Sequence, residues 1–240
     1  SLFHRQAKLR ILNWVAQRYP SLDARAEEIA AAGARIADVM ITSCSPPGRL
    51  AVEIQYSKLS FEEWRERHES YRGEDIHDVW LFGHASRHLR LADDSDYLVL
   101  GDPVRRMLAM GLPAFWINPI EGTVATARID ASKHRCTCGQ SHAKPGEFWL
   151  QPSGIDHHIE VGIDPLDECR LRRGEFVTPT LLEIQADTHR WQERRDIEHQ
   201  EADRLAEERR RVWAEKQRRR QIQQAALQRR EQHRRQAVVL

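Results

Sequence analysis

Arg35-Ile36-Ala37-Asp38-Val39-Met40 decides the reading of this chain, together with Ala51-Val52-Glu53-Ile54-Gln55-Tyr56-Ser57 after a Ser45-Pro46-Pro47-Gly48 turn. Each half alternates apolar and polar residues, the period-two signature of a half-buried strand. The Pro/Gly turn between them predicts a hairpin or a neighbouring pair of strands. On adjacent strands Asp38 and Glu53 are expected on one sheet face, with Gln55 one pleat beyond Glu53. An aspartate followed by Glu-x-Gln on the next strand is how a sheet presents a hard divalent cation to a phosphodiester, and oxygen ligands suit Mg2+ or Mn2+. A strand-end carboxylate is also commonly just a solvated polar residue, so the neighbours have to decide.

Upstream, residues 2–19 read as an amphipathic helix on Leu9, Ile11, Leu12, Trp14 and Val15, stopped by Pro20. His4 and Lys8 sit four apart, away from that apolar stripe. They make a solvated helix face or, beside a phosphate, a switchable donor and a cation. Residues 23–32 look helical by propensity. If the Asp38 strand has an earlier partner, however, this segment is the candidate, and one of Glu27 and Glu28 then approaches the metal. Downstream, Ser60 is an N-cap with Glu63 at the capping-box position, opening a helix to about Tyr71. Asp78 to Gly83 is a short apolar run closed by glycine, a buried strand. Helix, strands, helix and strand in this order predict an α/β core with a mixed sheet.

The 240 residues suit one large domain, or a medium one with an appendage. The net charge of +1 hides a division: residues 208–235 hold eleven Lys or Arg against three acids, leaving the remainder near −7. No run of eighteen apolar residues is present and no signal-peptide pattern opens the chain, so no membrane association is expected. Four cysteines (Cys44, Cys136, Cys138 and Cys169) make no disulfide framework, and a reducing cytoplasm is the default expectation.

His4-x-x-x-Lys8, Glu27 or Glu28, Arg35-x-Ala37-Asp38-Val39, Glu53-Ile54-Gln55-x-Ser57, Arg67-x-x-x-Tyr71 and Val79-Trp80-Leu81-x-Gly83 together resemble the competence protein CoiA family. The segment Gly111 to Pro119 is similar to that family's closing strand, so the likeness runs over about residues 4–130. The resemblance implies a PD-(D/E)xK (restriction-endonuclease-like) α/β core, a mixed sheet flanked by helices. It also implies Mg2+ or Mn2+ on Asp38, Glu53 and the Ile54 carbonyl, with Glu28 as the further acid. Gln55 stands where the wider superfamily has lysine. Lysine there would help deprotonate water and neutralise the phosphate, whereas glutamine only positions water by hydrogen bonds. Lys8 is the candidate to supply the missing charge, with His4 and Arg67 as DNA contacts. Tyr71 is expected chiefly as core packing.

Beyond the core, Asp93 to Asp96 read as a solvated acidic turn, and residues 102–110 as a short helix presenting Arg105 and Arg106. His134, Cys136, Cys138 and His142 offer soft ligands for a structural Zn2+ that would staple a loop-rich insert at 131–178, although Cys-x-Cys is unorthodox spacing. Residues 180–236 lack proline and glycine and are rich in Arg, Glu, Gln and Ala, which predicts one long helix across domain 179–240. That helix is read as solvated, as a loose coiled coil making homo-oligomers, or as a DNA-backbone contact through Arg209, Arg210, Arg211, Arg218, Arg219 and Arg220. The expectation is therefore a metal-dependent DNA nuclease with core 1–130. Its rivals are a non-catalytic DNA-binding factor on the same fold and a coiled-coil interaction protein.

Overall fold

The computed structural model describes residues 1–30, 35–43, 48–91, 98–129 and 159–237. Its elements in chain order are α1 (Leu2–Arg18), β1 (Asp23–Ala30), β2 (Arg35–Thr42), β3 (Arg49–Gln55), α2 (Phe61–Gly73), β4 (His77–Gly83), β5 (Leu89–Leu91) and β6 (Leu98–Leu100). There follow α3 (Asp102–Ala109), β7 (Phe115–Asn118), β8 (Thr123–Ile129), β9 (Ile159–Pro165), a single 3-10 turn at Leu166–Glu168, β10 (Arg170–Arg172), β11 (Glu175–Val177) and α4 (Pro179–Ala237). The main sheet runs β1-β2-β3-β4-β7-β8-β9. Its β3-β4 and β4-β7 pairs are parallel and its other pairs antiparallel, so the sheet is mixed as expected.

The β2–β3 hairpin forms with Val39 opposite Val52 and Thr42 opposite Arg49. Residues 23–30, which propensity makes helical, are instead strand β1. Pairing with β2 satisfies a whole ladder of backbone groups, which outweighs the small per-residue preference of Ala and Glu for helix. As an edge strand β1 carries charge on its rim, including the Asp23–Arg25 ion pair at 2.7 Å.

Two apolar layers sandwich the sheet. On one face Ala7, Ile11, Trp14 and Val15 of α1 pack with Val39, Ile41, Val52 and Ile54. Burying each of the Val and Ile side chains contributes about 1.5–3 kcal/mol. Leu9, grouped with the apolar stripe on sequence, is half exposed, and Ala7 takes the buried place. On the other face Trp64 of α2 and Val104, Met107 and Leu108 of α3 cover Trp80, Phe82 and Trp116. The predicted capping box opens α2: Ser60 Oγ accepts from the Glu63 N–H at 3.1 Å, and Glu63 accepts from the Ser60 N–H at 2.8 Å.

Strand β9 falls in the stretch expected to be a loop-rich insert, yet it extends the sheet beside β8. Residues 1–186 form one compact unit, and residues 187–240 a second. The first turn of α4 is tied into the first unit. Thr178 Oγ1 accepts from the Leu181 N–H and meets Thr126 Oγ1 at 2.7 Å, while Asp164 accepts from the Thr180 N–H. No helix among the described residues is long and apolar enough to cross a membrane.

Candidate active site

The site begins where β2 and β3 part. Their ladder pairs Val39 with Val52, and toward the open end the Asp38 side chain takes over: its Oδ2 accepts the Ile54 N–H at 2.9 Å. The alternation of β2 breaks at this point. Ala37 and Met40 pack in one cluster while Val39 and Ile41 pack in another, so 37 does not share a cluster with 39 as strict alternation requires. Two side chains of α1 reach the freed carboxylate. His4 Nε2 donates to Asp38 Oδ2 at 3.0 Å, and Lys8 Nζ lies 3.6 Å from Oδ1. The pair read as either a solvated helix face or a phosphate-side pair is thus turned inward onto the key aspartate.

Lys8 also donates to Glu27 Oε1 at 2.7 Å. Burial by itself lowers the Lys8 pKa, but the Glu27 hydrogen bond and the attraction of Asp38 and Glu27 outweigh it and hold the ammonium above its ordinary value. The same hydrogen bond holds Glu27 below the ordinary carboxylate value. Glu27 has φ of 55°, a left-handed backbone that is uncommon outside glycine.

Glu53, on β3, is only 1% exposed. A carboxylate this deep needs charged or hydrogen-bonded company. Helix α2 supplies both, one turn apart: Arg67 at 2.5 Å from Oε2, and the Tyr71 hydroxyl donating to Oε1 at 2.5 Å. The Arg67 guanidinium also stacks 4.7 Å over the Trp80 ring. Burial pushes the Glu53 pKa up; Arg67 and the Tyr71 hydrogen bond pull against it, and the nearby Asp38 charge adds to the rise. Tyr71, expected chiefly as packing, is buried and is also a donor; burial and Glu53 push its own pKa up, which keeps the proton on it.

Gln55 follows on the same strand face and is 8% exposed. Its amide donates to Ser57 O at 3.0 Å and Ser57 Oγ at 2.9 Å, which gives Gln-x-Ser a local structural reason. His88 Nε2 donates to the same Ser57 carbonyl at 3.0 Å. Burial lowers the His88 pKa and favours the neutral ring. A Cβ on Gly83 would stand 2.2 Å from the Tyr56 ring, so the glycine closing β4 gives Tyr56 room to lie beside it.

Residues 1–95 match the family model described as competence protein CoiA, nuclease-like domain. Over these residues the chain is similar to that family. No curated protein and no solved structure matches the chain. The CoiA-like stretch contains His4, Lys8, Glu27, Asp38, Glu53, Gln55, Arg67 and Tyr71, and a nuclease-like domain of this family suggests nuclease-type action on nucleic acid.

Within this stretch, the register gives the two candidate glutamates different places. Glu28 stands opposite Ala37 in the register, and Ala37 packs with Met40 and Tyr71. Cross-strand partners share a face, so Glu27, one residue earlier and level with Asp38, is the acid that reaches Lys8. Sequence could not separate the two glutamates, because only the register distinguishes them. A second pairing was missed altogether. His68 Nδ1 donates to Asp78 at 2.8 Å, Trp80 Nε1 donates to the same carboxylate at 2.7 Å, and Trp64 stacks on the His68 ring. No sequence pattern marks it; the β3–β4 ladder sets Asp78 level with Ala51, two residues before Glu53.

The donor set fits a hard dication in kind, because Asp38 and Glu53 present carboxylate oxygens on either side of the strand split. Those oxygens are at present held by His4, Lys8, Arg67, Tyr71 and the Ile54 N–H. Among the described residues no three His, Cys, Asp or Glu side chains are grouped as a metal cage. Arg67, expected as a phosphate contact, is engaged with Glu53 and Trp80. The tail arginines are exposed on α4, with Arg211 on Glu207 and Arg219 on Glu215, each at 2.7 Å. Asp93 to Asp96, His134, Cys136, Cys138 and His142 lie outside the described residues.

Proposed function

We propose that this protein is a DNA nuclease of the CoiA-like type, with a PD-(D/E)xK core whose working carboxylates are Asp38 and Glu53. The observation that carries the reading is the parting of β2 and β3 at Asp38. It brings His4 and Lys8 of α1 to one carboxylate, while the next strand holds Glu53 under Arg67 and Tyr71. Three acids and three basic groups from five elements meet where the sequence alternation breaks, and such convergence marks a site more than a fold requirement.

Asp38, Glu53 and the Ile54 carbonyl would hold Mg2+ or Mn2+, which when bound supplies Lewis acidity and a more acidic water. The chain's own groups do the rest. His4 and the Ile54 N–H orient Asp38. Lys8, charged throughout the neutral range, offers the cation next to a scissile phosphate that Gln55 does not. With its amide donors on Ser57, Gln55 has its carbonyl oxygen left to accept from a water and set its direction. Arg67 and Tyr71 keep Glu53 in its rotamer and balance its charge.

Calorimetric titration of Mg2+ and Mn2+, paired with cleavage of labelled single- and double-stranded DNA in metal or in EDTA, tests this reading. Saturable cation binding with cleavage abolished by EDTA supports it. Cleavage that continues in EDTA removes the metal from the account. The alternative is a DNA-binding factor that keeps the fold without the chemistry. It is favoured by the engagement of both Glu53 oxygens and of the Gln55 amide, and salt-sensitive DNA binding without cleavage in any cation would select it.

A further inference from the structure

Helix α4 spans 59 residues, about 88 Å at 1.5 Å per residue, and its described side chains past residue 187 are almost all exposed. Its large apolar groups are exposed too: Leu205, Val212, Trp213 and Leu227 at 48%, 61%, 64% and 60%. At about 100° per residue these four fall within roughly 100° of arc, one continuous stripe on an otherwise charged rod. They fall on two adjacent positions of a seven-residue frame, 205 with 212 and 213 with 227, and not on the a and d positions of a parallel heptad seam.

Two further features say what covers the stripe. The helix is electrically divided: residues 183–208 carry nine acids against four arginines, and residues 209–235 carry eleven Lys or Arg against two acids. Half-helices of balance −5 and +9 repel their like and attract each other, so a second copy fits best running the opposite way. The apolar stripe is self-complementary under the same operation. A two-fold axis at position 209 sets Leu205 opposite Trp213 and Ala206 opposite Val212. The residue that comes opposite Leu227 is position 191, a tryptophan in the sequence. The exposed Ile197 and Ile222, on one flank of the stripe, come within one residue of facing each other.

We infer that α4 is a dimerisation arm: two copies of this chain pair antiparallel through it, with Trp213 of each copy packed on Leu205 of the other. The interface is isologous, as a two-fold requires. A nucleic acid laid along the whole arm would instead meet nine acids over the first half, which disfavours that use of the stripe.

The test takes the full chain, free of nucleic acid, with light scattering after size exclusion at about 10 µM and below. A dimer that dissociates with added salt is expected. Trp213→Glu should weaken association by about tenfold or more, with helix content unchanged by circular dichroism. Orientation is read by a photo-crosslinking phenylalanine in place of Trp213 in a mixture of isotopically light and heavy chains. Cross-links from 213 of one copy into the region of Leu205 of the other are expected. Cross-links from 213 to 213 mean a parallel pair, and a monomer at every concentration means no pair; either result overturns the inference.

Discussion

The core unit and the long helix use charge in opposite ways. In residues 1–186 the decisive ion pairs join distant parts of the chain: Asp38 to His4 and Lys8, Glu53 to Arg67 and His68 to Asp78, with Glu53 only 1% exposed and the Asp78 side chain only 3%. On α4 the pairs join residues three or four apart on the same rod, such as Arg211 with Glu207, and both partners are open to solvent. Burial raises the strength of each interaction and the cost of losing one partner; exposure screens both. The core's charges therefore fix geometry, while those of the helix act collectively, through solubility and the choice of partner orientation.

This contrast sharpens into measurable differences. Removing Arg67 should be the most damaging single change to stability, because Arg67→Ala leaves a buried carboxylate with only the Tyr71 hydrogen bond. A loss of about 3–5 kcal/mol in denaturant unfolding is expected. Gly83→Ala comes next, at about 1–3 kcal/mol, since the new Cβ drives into Tyr56. Breaking the α2 capping box with Ser60→Ala should cost about 1 kcal/mol. Arg211→Ala on the helix, removing an exposed pair at 2.7 Å against 2.5 Å for Arg67 and Glu53, should change stability by no more than about 0.5 kcal/mol. If Arg211→Ala cost as much as Arg67→Ala, burial would not be what separates the two regions.

A pH series breaks the comparison from another side. Burial holds the Glu53 pKa above the ordinary carboxylate value, so the folded state binds that proton more tightly than the unfolded chain does. Its contribution to stability is then fully present below the unfolded value and is lost as pH rises through the folded one. The stability of wild type relative to Glu53→Gln should fall as pH rises above the ordinary carboxylate value of about 4.3. A difference that grows over this range would give the wrong sign for a burial-dominated site.

Much of the fold was legible because local and tertiary preferences agree. The β2–β3 hairpin, the capped α2 and the buried β4 each have a pattern, a turn signal and a core face pointing the same way. The same holds for α4, whose stretch without proline or glycine admits little else. Strand β1 was less legible: Ala and Glu favour helix locally, and only its partner β2 makes it a strand. Asp38, Glu53 and Gln55 stand out on the strands by residue type and spacing, but which side chain each one contacts does not follow from the sequence. Whether Glu27 or Glu28 faces Lys8 depends on register, and whether Tyr71 packs or donates depends on a carboxylate eighteen residues away. The inward turn of His4 and Lys8 depends on the docking of α1, which a helical pattern does not encode.

The most direct test of the central claim is the rate of DNA cleavage under single-turnover conditions by wild type, Asp38→Asn and Glu53→Gln, each checked for folding by thermal unfolding. Both substitutions keep side-chain shape and remove the charge. Loss of about a hundredfold or more in both, in folded protein, is the predicted result. Cleavage at the wild-type rate by either variant would contradict the assignment of that carboxylate to the chemistry.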